Sequence, residues 1–302
     1  TPLSRFQPWP VDTPGGRFYA EWDEDTPTTR DGQLIFFFQF LKAGGRWEQL
    51  MEHCPLNYSG NRGSGAHNVI GTVLLSVLSG HWRYAHINSV RGDAINPPLL
   101  DMQHTVSEDT VRRAMKRIPE QAGLKWLQAE ILDCISPALE LPWILDIDTT
   151  VKPLYGHQQG AEIGYNPQKP GRPSHIYHSY FVANLLSLGV KVLPGKKSAA
   201  SQGMAGLWQT LEELPRSRWP TFGRGDCGYG SETVIREFED RQLPYLFKLR
   251  HTPKVKVLVS DCMRLGSSWQ DSGDGWQAME SSIKLSGWTK KRRVVLVREA
   301  PA

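Results

Sequence analysis

The chain has 302 residues, of which 39% are hydrophobic and 22% charged, and its formal net charge is +4 at pH 7. This composition excludes a disordered or fibrous chain and allows about two domains. Four scattered cysteines without a Cys-x-x-Cys pair argue against a zinc knuckle and a disulfide framework, and they favour a reducing, cytoplasmic setting. The longest apolar stretch, Val69 to Leu78, is too short to span a membrane, so no membrane partner is predicted.

Residues 1–30 are rich in Pro, Gly, Asp and Thr, which predicts an irregular N-terminal arm. From 31 to 140, apolar residues recur at spacings of three and four, which predicts an all-helical domain. Its clearest helix starts near Ser107 and carries a basic side made of Arg112, Arg113, Lys116 and Arg117. Such a side could bind DNA or could be an ordinary solvated helix surface, and the pattern fits both.

The period of the apolar pattern changes after Pro142. Successive runs predict three strands, a helix, a strand, a helix and a strand, at 143–148, 176–186, 190–193, 204–214, 221–224, 231–240 and 245–249. That order is the one found in ribonuclease H-like folds. We therefore expect a mixed α+β or α/β chain, in which the helical domain precedes a ribonuclease H-like catalytic core at 141–250. Gly and Ser clusters between short apolar runs in 251–302 predict part of a β-rich insertion.

Two acids, Asp148 and Asp226, each follow a short apolar run that is predicted to be a buried strand. If those strands lie side by side, the two carboxylates meet at one edge of the sheet. Carboxylate oxygens are the ligands that Mg²⁺ and Mn²⁺ prefer, and such ions support phosphoryl chemistry. Asp146 points to the same face as Asp148, so it is either a supporting group or the true ligand.

A polar and basic loop is predicted beside the first acid, between Tyr155 and His178. Within it, Lys169 and Arg172 could bind DNA phosphates, and Tyr165 could stack on a base. The alternative is a long solvated hairpin loop without a partner. Zinc binding by its histidines is not favoured, because no cysteine accompanies them and their spacing fits no common site.

One long segment, at 146–174, reads Asp-Ile-Asp-Thr-Thr-Val-Lys-Pro-Leu-Tyr-Gly-His-Gln-Gln-Gly-Ala-Glu-Ile-Gly-Tyr-Asn-Pro-Gln-Lys-Pro-Gly-Arg-Pro-Ser. This segment resembles the DDE transposases of bacterial insertion sequences. A second segment with the same resemblance, at 224–232, reads Arg-Gly-Asp-Cys-Gly-Tyr-Gly-Ser-Glu. The resemblance is strongest to the group called insertion sequence thirteen-eighty, of transposase DDE domain group one. Residues 80–87 and 107–113 resemble the N-terminal helical region of the same group.

The resemblance implies a ribonuclease H-like domain that uses Mg²⁺ to nick transposon ends and to join the freed 3′-hydroxyl to target DNA. By this resemblance Asp148 is the first catalytic acid and metal ligand, and Asp226 is the second. It also implies double-stranded DNA as the partner, at the transposon ends and at the target. A homodimer on DNA, in the cytoplasm of a bacterium and associated with the nucleoid, is expected.

The third acid of this family is a Glu on a late helix, preceded by a Tyr and an Arg and followed by a Lys. No Tyr follows Tyr245 in this chain, so that signature is absent. Glu280 and Glu299 are candidates for the role, but neither lies in a predicted helix of the required kind. We therefore expect the chain to stop before the third acid.

Three functions remain open at this point. The first is a transposase with metal-dependent strand cleavage and strand transfer. The second is a transposase remnant that binds DNA without catalysis. The third is a hydrolase that uses Asp148 and Asp226 as an acid–base pair without a metal.

Overall fold

The computed structural model describes residues 7–21, 29–57, 65–140, 142–183, 185–197, 199–264 and 269–301. These residues form a mixture of helices and strands, and the chain divides into two compact units, Thr1–Glu130 and Ile131–Ala302. Among the described residues, no helix is both long enough and apolar enough to cross a lipid bilayer.

The first unit combines a short hairpin with helices, and its core is apolar. Its elements are β1 (Trp9–Thr13), β2 (Gly16–Ala20), α1 (Leu34–Ala43), α2 (Arg46–Glu52), α3 (Ala66–Leu78), α4 (Asn96–Leu99), α5 (Glu108–Met115) and α6 (Glu120–Ile135), which continues into the second unit. Its largest fully buried side chains include Phe38, Leu75 and Leu100. Within 31–140 the described residues include the helices α1 to α6.

The N-terminal arm is more ordered than its composition predicts. Within 1–30 the strands β1 and β2 pair as an antiparallel hairpin, and Val11 is fully buried. The Pro and Gly residues that suggested an irregular arm form the turn instead, and Gly16 has a φ of 115° that suits glycine. The remaining residues of the predicted arm at 1–6 and 22–28 lie outside the described part of the chain.

The predicted start of α5 is confirmed. The hydroxyl of Ser107 accepts a hydrogen bond from the backbone N–H of Thr110 at 3.3 Å, which caps the first turn. Val111 and Ala114 are buried on the apolar side of the helix, as their spacing predicts.

The second unit is built on a six-stranded sheet with two helices between its later strands. Its elements in chain order are β3 (Ile144–Pro153), β4 (Glu162–Ile163), β5 (Pro173–Val182), β6 (Leu186–Pro194), α7 (Met204–Glu212), β7 (Phe222–Gly225), α8 (Glu232–Asp240) and β8 (Tyr245–Phe247). Strand β5 pairs antiparallel with β3, β4 and β6, whereas β3, β7 and β8 run parallel. The predicted order of three strands, helix, strand, helix and strand is found, with the short β4 added between the first two of these strands.

Two glycines in β7 allow this strand to lie close to its neighbours. A Cβ atom at Gly223 would lie 2.6 Å from the Phe238 ring of α8. A Cβ atom at Gly225 would lie 2.8 Å from the Tyr229 ring. Both distances are shorter than real carbon contacts, so glycine is required for the sheet and its covering side chains to meet here.

The last segment contains a helix that the sequence did not predict. It comprises α9 (Pro253–Arg264), β9 (Gln270–Gly273), β10 (Trp276–Ile283) and β11 (Arg292–Glu299), and the three strands form one antiparallel sheet. A β-rich segment was predicted for 251–302 from Gly and Ser clusters between short apolar runs. That reasoning did not detect α9, in which Val255 and Cys262, seven residues apart, lie buried on one helical face.

A buried arginine joins β11 to α8. The Arg292 guanidinium contacts Glu232 at 2.6 Å and Glu239 at 2.8 Å, and its side chain is only 5% exposed. These hydrogen bonds lower the pKa of Glu232 and of Glu239 to about 2. Lys290 adds a contact to Glu239 at 3.0 Å. The network fastens the three-stranded sheet to the helix beside the larger sheet.

We expect the free energy of unfolding to fall as the pH is lowered from about 4.5 to about 2. Over that range the unfolded chain protonates Glu232 and Glu239 while the folded chain keeps them ionised, so their contribution is complete above the range and disappears through it. Urea unfolding at several pH values measures the effect. The variant Arg292→Met should be less stable at neutral pH by roughly 2 kcal/mol and should show a weaker pH dependence.

The matched control is Arg293→Met on the same strand. Arg293 is exposed and pairs with Glu280, so this variant should keep most of the wild-type pH dependence. An equal pH dependence in wild type and Arg292→Met would show that the buried network does not stabilise the fold.

Candidate functional site

Strands β3 and β7 bring Asp148 and Asp226 together. The parallel pairing of these strands ends at Ile147 and Gly225, and the two acids are the next residue on each strand. Both side chains are exposed. Thr150 donates a hydrogen bond to Asp148 Oδ2 at 3.1 Å, and the backbone N–H of Gly228 donates one to Asp226 Oδ1 at 2.8 Å. Two acids from distant parts of the chain therefore lie just beyond the point where the pairing of β3 with β7 ends.

The prediction that Asp148 ends its strand is wrong, although Asp226 does follow the last residue of β7. Strand β3 continues to Pro153 and remains paired with β5, for example between Thr149 and His178. The β-branched residues after Asp148 keep the backbone extended, and β5 supplies the partner. What ends at Asp148 is the pairing with β7, which leaves that side of the strand open.

Asp146 is held by an arginine on the neighbouring strand. Asp146 and Arg224 are direct register partners, and both carboxylate oxygens accept hydrogen bonds from the guanidinium, one of them at 3.2 Å. The Asp146 side chain is 8% exposed. Among the described residues, by contrast, neither Asp148 nor Asp226 forms an ion pair. Asp146 therefore supports the junction between the strands rather than facing solvent with the other two acids.

Among the residues that the structure describes, no third acidic ligand is found near the pair. Glu280 lies on β10 and pairs with Arg293, and Glu299 ends β11 opposite Trp276. Within the described ranges, no group of three or more His, Cys, Asp or Glu side chains is arranged to hold a metal ion. Neither glutamate, nor Asp146, completes a three-acid cluster with Asp148 and Asp226.

A buried chain of hydrogen bonds lies next to the acids. The Tyr229 hydroxyl is 2.7 Å from the Thr149 hydroxyl, which is 3.2 Å from His178 Nδ1. His178 Nε2 lies 3.4 Å from the carbonyl oxygen of Lys197. Burial raises the pKa of Tyr229, and the charges of Asp148 and Asp226 raise it further. Burial lowers the pKa of His178.

Sequence reasoning missed this hydrogen-bonded chain. His178 was predicted both at the end of the loop from Tyr155 to His178 and within the strand at 176–186, and the structure places it in β5 with His175, where it is 1% exposed. The alternation of apolar and polar residues through 173–182 was the available signal. For Tyr229 the sequence offers only its position soon after Asp226 in a glycine-rich turn.

The three predicted DNA contacts beside the first acid lie in the segment between β3 and β5. Lys169 Nζ and Arg172 Cζ lie 4.9 Å and 4.6 Å from the centre of the Tyr155 ring. The buried Asn166 accepts a hydrogen bond from the backbone N–H of Lys169 at 3.0 Å and so shapes the turn. Tyr165 is 68% exposed. Two cations are thus held near one aromatic ring, with a second exposed ring in the same segment.

The basic side of α5 is partly neutralised by its own first turn. Arg112 contacts Asp109 at 3.1 Å and Glu108 at 3.6 Å, and it lies 5.7 Å from the Tyr84 ring. Arg113 donates a hydrogen bond to the Asp109 carbonyl at 3.3 Å. The remaining predicted contacts, Lys116 and Arg117, are exposed just beyond the end of the helix.

Comparison with known proteins gives one family and two structural similarities. The model of a family described as transposase DDE domain group 1 matches residues 66–302. A piggyBac transposase in a synaptic complex with hairpin DNA is 11% identical with a TM-score of 0.31, over 91% of this chain and 54% of that one. A Mos1 transposase in a paired-end complex with the left transposon end is 10% identical with a TM-score of 0.23, over 83% of each chain.

The chain thus spans about half the length of the piggyBac protein, 54%. No curated protein sequence matches it.

Because Asp148 and Asp226 carry like charges and directly follow the last register pair of two adjacent strands, we expect Asp148→Asn to stabilise the protein in the absence of divalent ions. The gain should be roughly 0.5 kcal/mol, the usual size of a cross-strand charge effect. The control Asp146→Asn should instead lower stability by roughly 1–2 kcal/mol, because it weakens the pair with Arg224. Urea unfolding in EDTA measures both. A destabilised Asp148→Asn variant would contradict the proposed repulsion.

Proposed function

Because the chain belongs to the transposase DDE domain group 1 family, we propose that it is a DNA transposase that uses a divalent ion to cut DNA at insertion-sequence ends and to transfer the cut strand. The observation that carries this proposal is the placement of Asp148 and Asp226 one residue beyond the last pair of two adjacent parallel strands. Carboxylates that meet at such an edge are suited to metal-dependent phosphoryl chemistry.

We propose a ribonuclease H-like fold for the catalytic core at 141–250. The strand order β5-β3-β7-β8, with β6 on the outer side of β5, supports this assignment, as does the change from antiparallel to parallel pairing at β3. The similarity of segments 146–174 and 224–232 supports membership of the bacterial insertion sequence thirteen-eighty group. The corresponding location of the protein is the cytoplasm, in association with the nucleoid.

Asp148 and Asp226 are the residues that would hold Mg²⁺ or Mn²⁺. Their oxygens are hard ligands, both side chains are exposed, and a cation would offset the repulsion between them. A bound divalent ion would supply stabilisation of the negative charge that builds on the transferred phosphate. Thr150 and the Gly228 amide each hold one carboxylate oxygen, which limits the rotation of the acids. Asp146 remains committed to Arg224.

We propose that these two acids hold one ion tightly and a second ion weakly. Two carboxylates are a small ligand set for two divalent ions. The support is that no third His, Cys, Asp or Glu joins them among the residues described in this structure. Glu280 and Glu299, in the three-stranded sheet, are not part of the proposed site.

Mn²⁺ titration followed by electron paramagnetic resonance should show at most one tight site in the wild type. Asp148→Asn and Asp226→Asn should each lose it, whereas the control Glu299→Gln should keep it. In a supercoiled-plasmid assay, nicking should require Mn²⁺ or Mg²⁺ and disappear in Asp148→Asn. Two tight sites would contradict the two-acid arrangement, and nicking that persists in EDTA would favour the metal-independent hydrolase.

A second candidate function is a transposase remnant that binds DNA without cutting it. The absence of a third acidic ligand among the described residues favours this alternative. DNA binding and Mn²⁺ binding without nicking would support it. Divalent-dependent nicking that is lost in Asp148→Asn would exclude it.

We propose double-stranded DNA, at transposon ends and target, as the partner of a homodimer. Lys169 and Arg172 are suited to phosphate contacts, because a shaped turn holds two cations together. Tyr165 offers an exposed face for stacking. In the helical unit, Lys116 is exposed just beyond the end of α5, whereas Arg112 and Arg113 contact the acidic first turn.

Replacing Lys169 or Arg172 by Ala should weaken binding to duplex DNA of any sequence. Each variant should also reduce by about one the slope of log affinity against log salt concentration, because one phosphate contact is lost. Fluorescence anisotropy at several salt concentrations measures both. The control Arg293→Ala should leave the slope unchanged, since its guanidinium already pairs with Glu280. Unchanged slopes in both loop variants would remove this segment from the DNA interface.

A further inference from the structure

We propose that Tyr229 is a positioning residue that sets the separation of Asp148 and Asp226, by fastening the turn that carries Asp226 to the strand that carries Asp148. This inference rests on the proposed metal site, and it assigns a role to a side chain that does not itself bind the ion.

A link between the turn and β3 is needed because the pairing of β3 with β7 ends one residue before the two acids. Beyond Ile147 and Gly225 the strand β3 stays with β5, while the chain after β7 enters a turn. Within that turn, Gly228 N–H donates to Asp226 Oδ1 at 2.8 Å and Tyr229 N–H donates to the Asp226 carbonyl at 3.2 Å. These bonds shape the turn, but they do not attach it to β3.

The bond between Tyr229 and Thr149 makes that attachment. Its oxygens are 2.7 Å apart, and the two residues are 80 positions apart in the chain. Thr149 directly follows Asp148, and Tyr229 closes the turn that begins at Asp226. A single side-chain hydrogen bond thus links the backbone next to one acid with the turn that holds the other.

The protons in this network can be assigned from its far end. The Lys197 carbonyl can only accept, so His178 Nε2 carries a proton and donates it. His178 is buried and its pKa is lowered, so the ring is neutral and Nδ1 accepts from the Thr149 hydroxyl. Since the one Thr149 proton is used there, Tyr229 donates to Thr149.

The surroundings keep this arrangement fixed. Tyr229 is 2% exposed, and its raised pKa keeps the hydroxyl protonated at neutral pH. The His178 ring lies against Gly203, where a Cβ atom would be only 2.3 Å from His178 Cγ. The ring therefore has little room to turn, and the Thr149 hydroxyl keeps its direction. Every donor in the chain has an assigned acceptor.

Removing the Tyr229 hydroxyl tests the role while keeping the ring. In Tyr229→Phe and in Thr149→Val, the affinity for Mn²⁺ should fall about tenfold, the usual effect of losing a group that orients metal ligands. Thr149→Ser keeps the hydroxyl and should retain wild-type affinity. The double variant Tyr229→Phe with Thr149→Val should be no weaker than either single variant, because both remove the same hydrogen bond.

The matched control is Tyr245→Phe. Tyr245 lies beside the same core, and its hydroxyl donates to Glu239 at 3.0 Å, on a helix that does not carry either acid. This variant should lose stability by an amount similar to Tyr229→Phe but should bind Mn²⁺ like the wild type. A purely structural role for Tyr229 would make the two variants alike in both respects.

The experiment uses the full chain, with Mn²⁺ titration by electron paramagnetic resonance and amide hydrogen exchange in the metal-free protein. We expect weaker Mn²⁺ binding and faster exchange at Gly228 in Tyr229→Phe and Thr149→Val, with neither change in Thr149→Ser or Tyr245→Phe. Wild-type Mn²⁺ affinity in Tyr229→Phe and Thr149→Val would overturn the inference and leave the proposed metal site intact. A wild type that binds no Mn²⁺ would contradict the proposed metal site instead. In that case the amide exchange rate at Gly228 alone tests the inference. Faster exchange in Tyr229→Phe and Thr149→Val would support it, and an unchanged rate would overturn it.

Discussion

The parallel pairing of β7 with β3 is the contact on which the proposed site depends. It extends only over residues 144–147 and 222–225, yet it sets the position of every acid in the proposed site. Gly223 and Gly225 permit the pairing, because any side chain there would collide with Phe238 or Tyr229. The core then supplies the stability: Leu145 and Ile147 are buried against a cluster that includes side chains of α7 and α8.

The acids along this strand pair differ in whether a cation balances their charge. Asp146 faces Arg224 and is neutralised, whereas Asp148 and Asp226 adjoin each other without an ion-pair partner among the described residues. The first arrangement stabilises the junction of the strands, and the second leaves two exposed carboxylates that are suited to binding a cation. A similar compensation occurs at Arg292, where one buried cation is balanced by Glu232 and Glu239. The difference between these sites separates acids that maintain the fold from acids that are available for binding.

The order of helices and strands in the second unit follows well from local apolar periodicity. The contacts that each strand or helix makes with distant parts of the chain follow from it less well. The short strand predicted at 221–224 corresponds to β7, and the spacing of apolar residues within 231–240 predicts α8. Asp148 was expected at a strand end because the apolar run stops there, but its continued pairing depends on β5, about 30 residues later. The helix at 253–264 was missed because its buried face is defined by long-range contacts: Val255 packs in a core cluster with Ile235, Ile283 and Trp288.

The hairpin at 9–20 was also not predicted, because Pro and Gly mark a turn without indicating whether strands flank it. The pairing of Arg224 with Asp146 and the chain from Tyr229 to His178 need the tertiary register as well. These interactions join residues about 80 and about 30 positions apart, and no local pattern encodes either distance.

The hydrogen-bonded chain behind the acids ends on a backbone carbonyl rather than on a side chain. The Lys197 side chain is therefore not required for the final acceptor, since every residue type presents the same carbonyl oxygen at that position. Mutation can change the charge and size of the surface at residue 197 while the buried chain keeps its direction. The outer surface of the proposed DNA-processing region can in this way diverge in evolution without altering the geometry of the two acids.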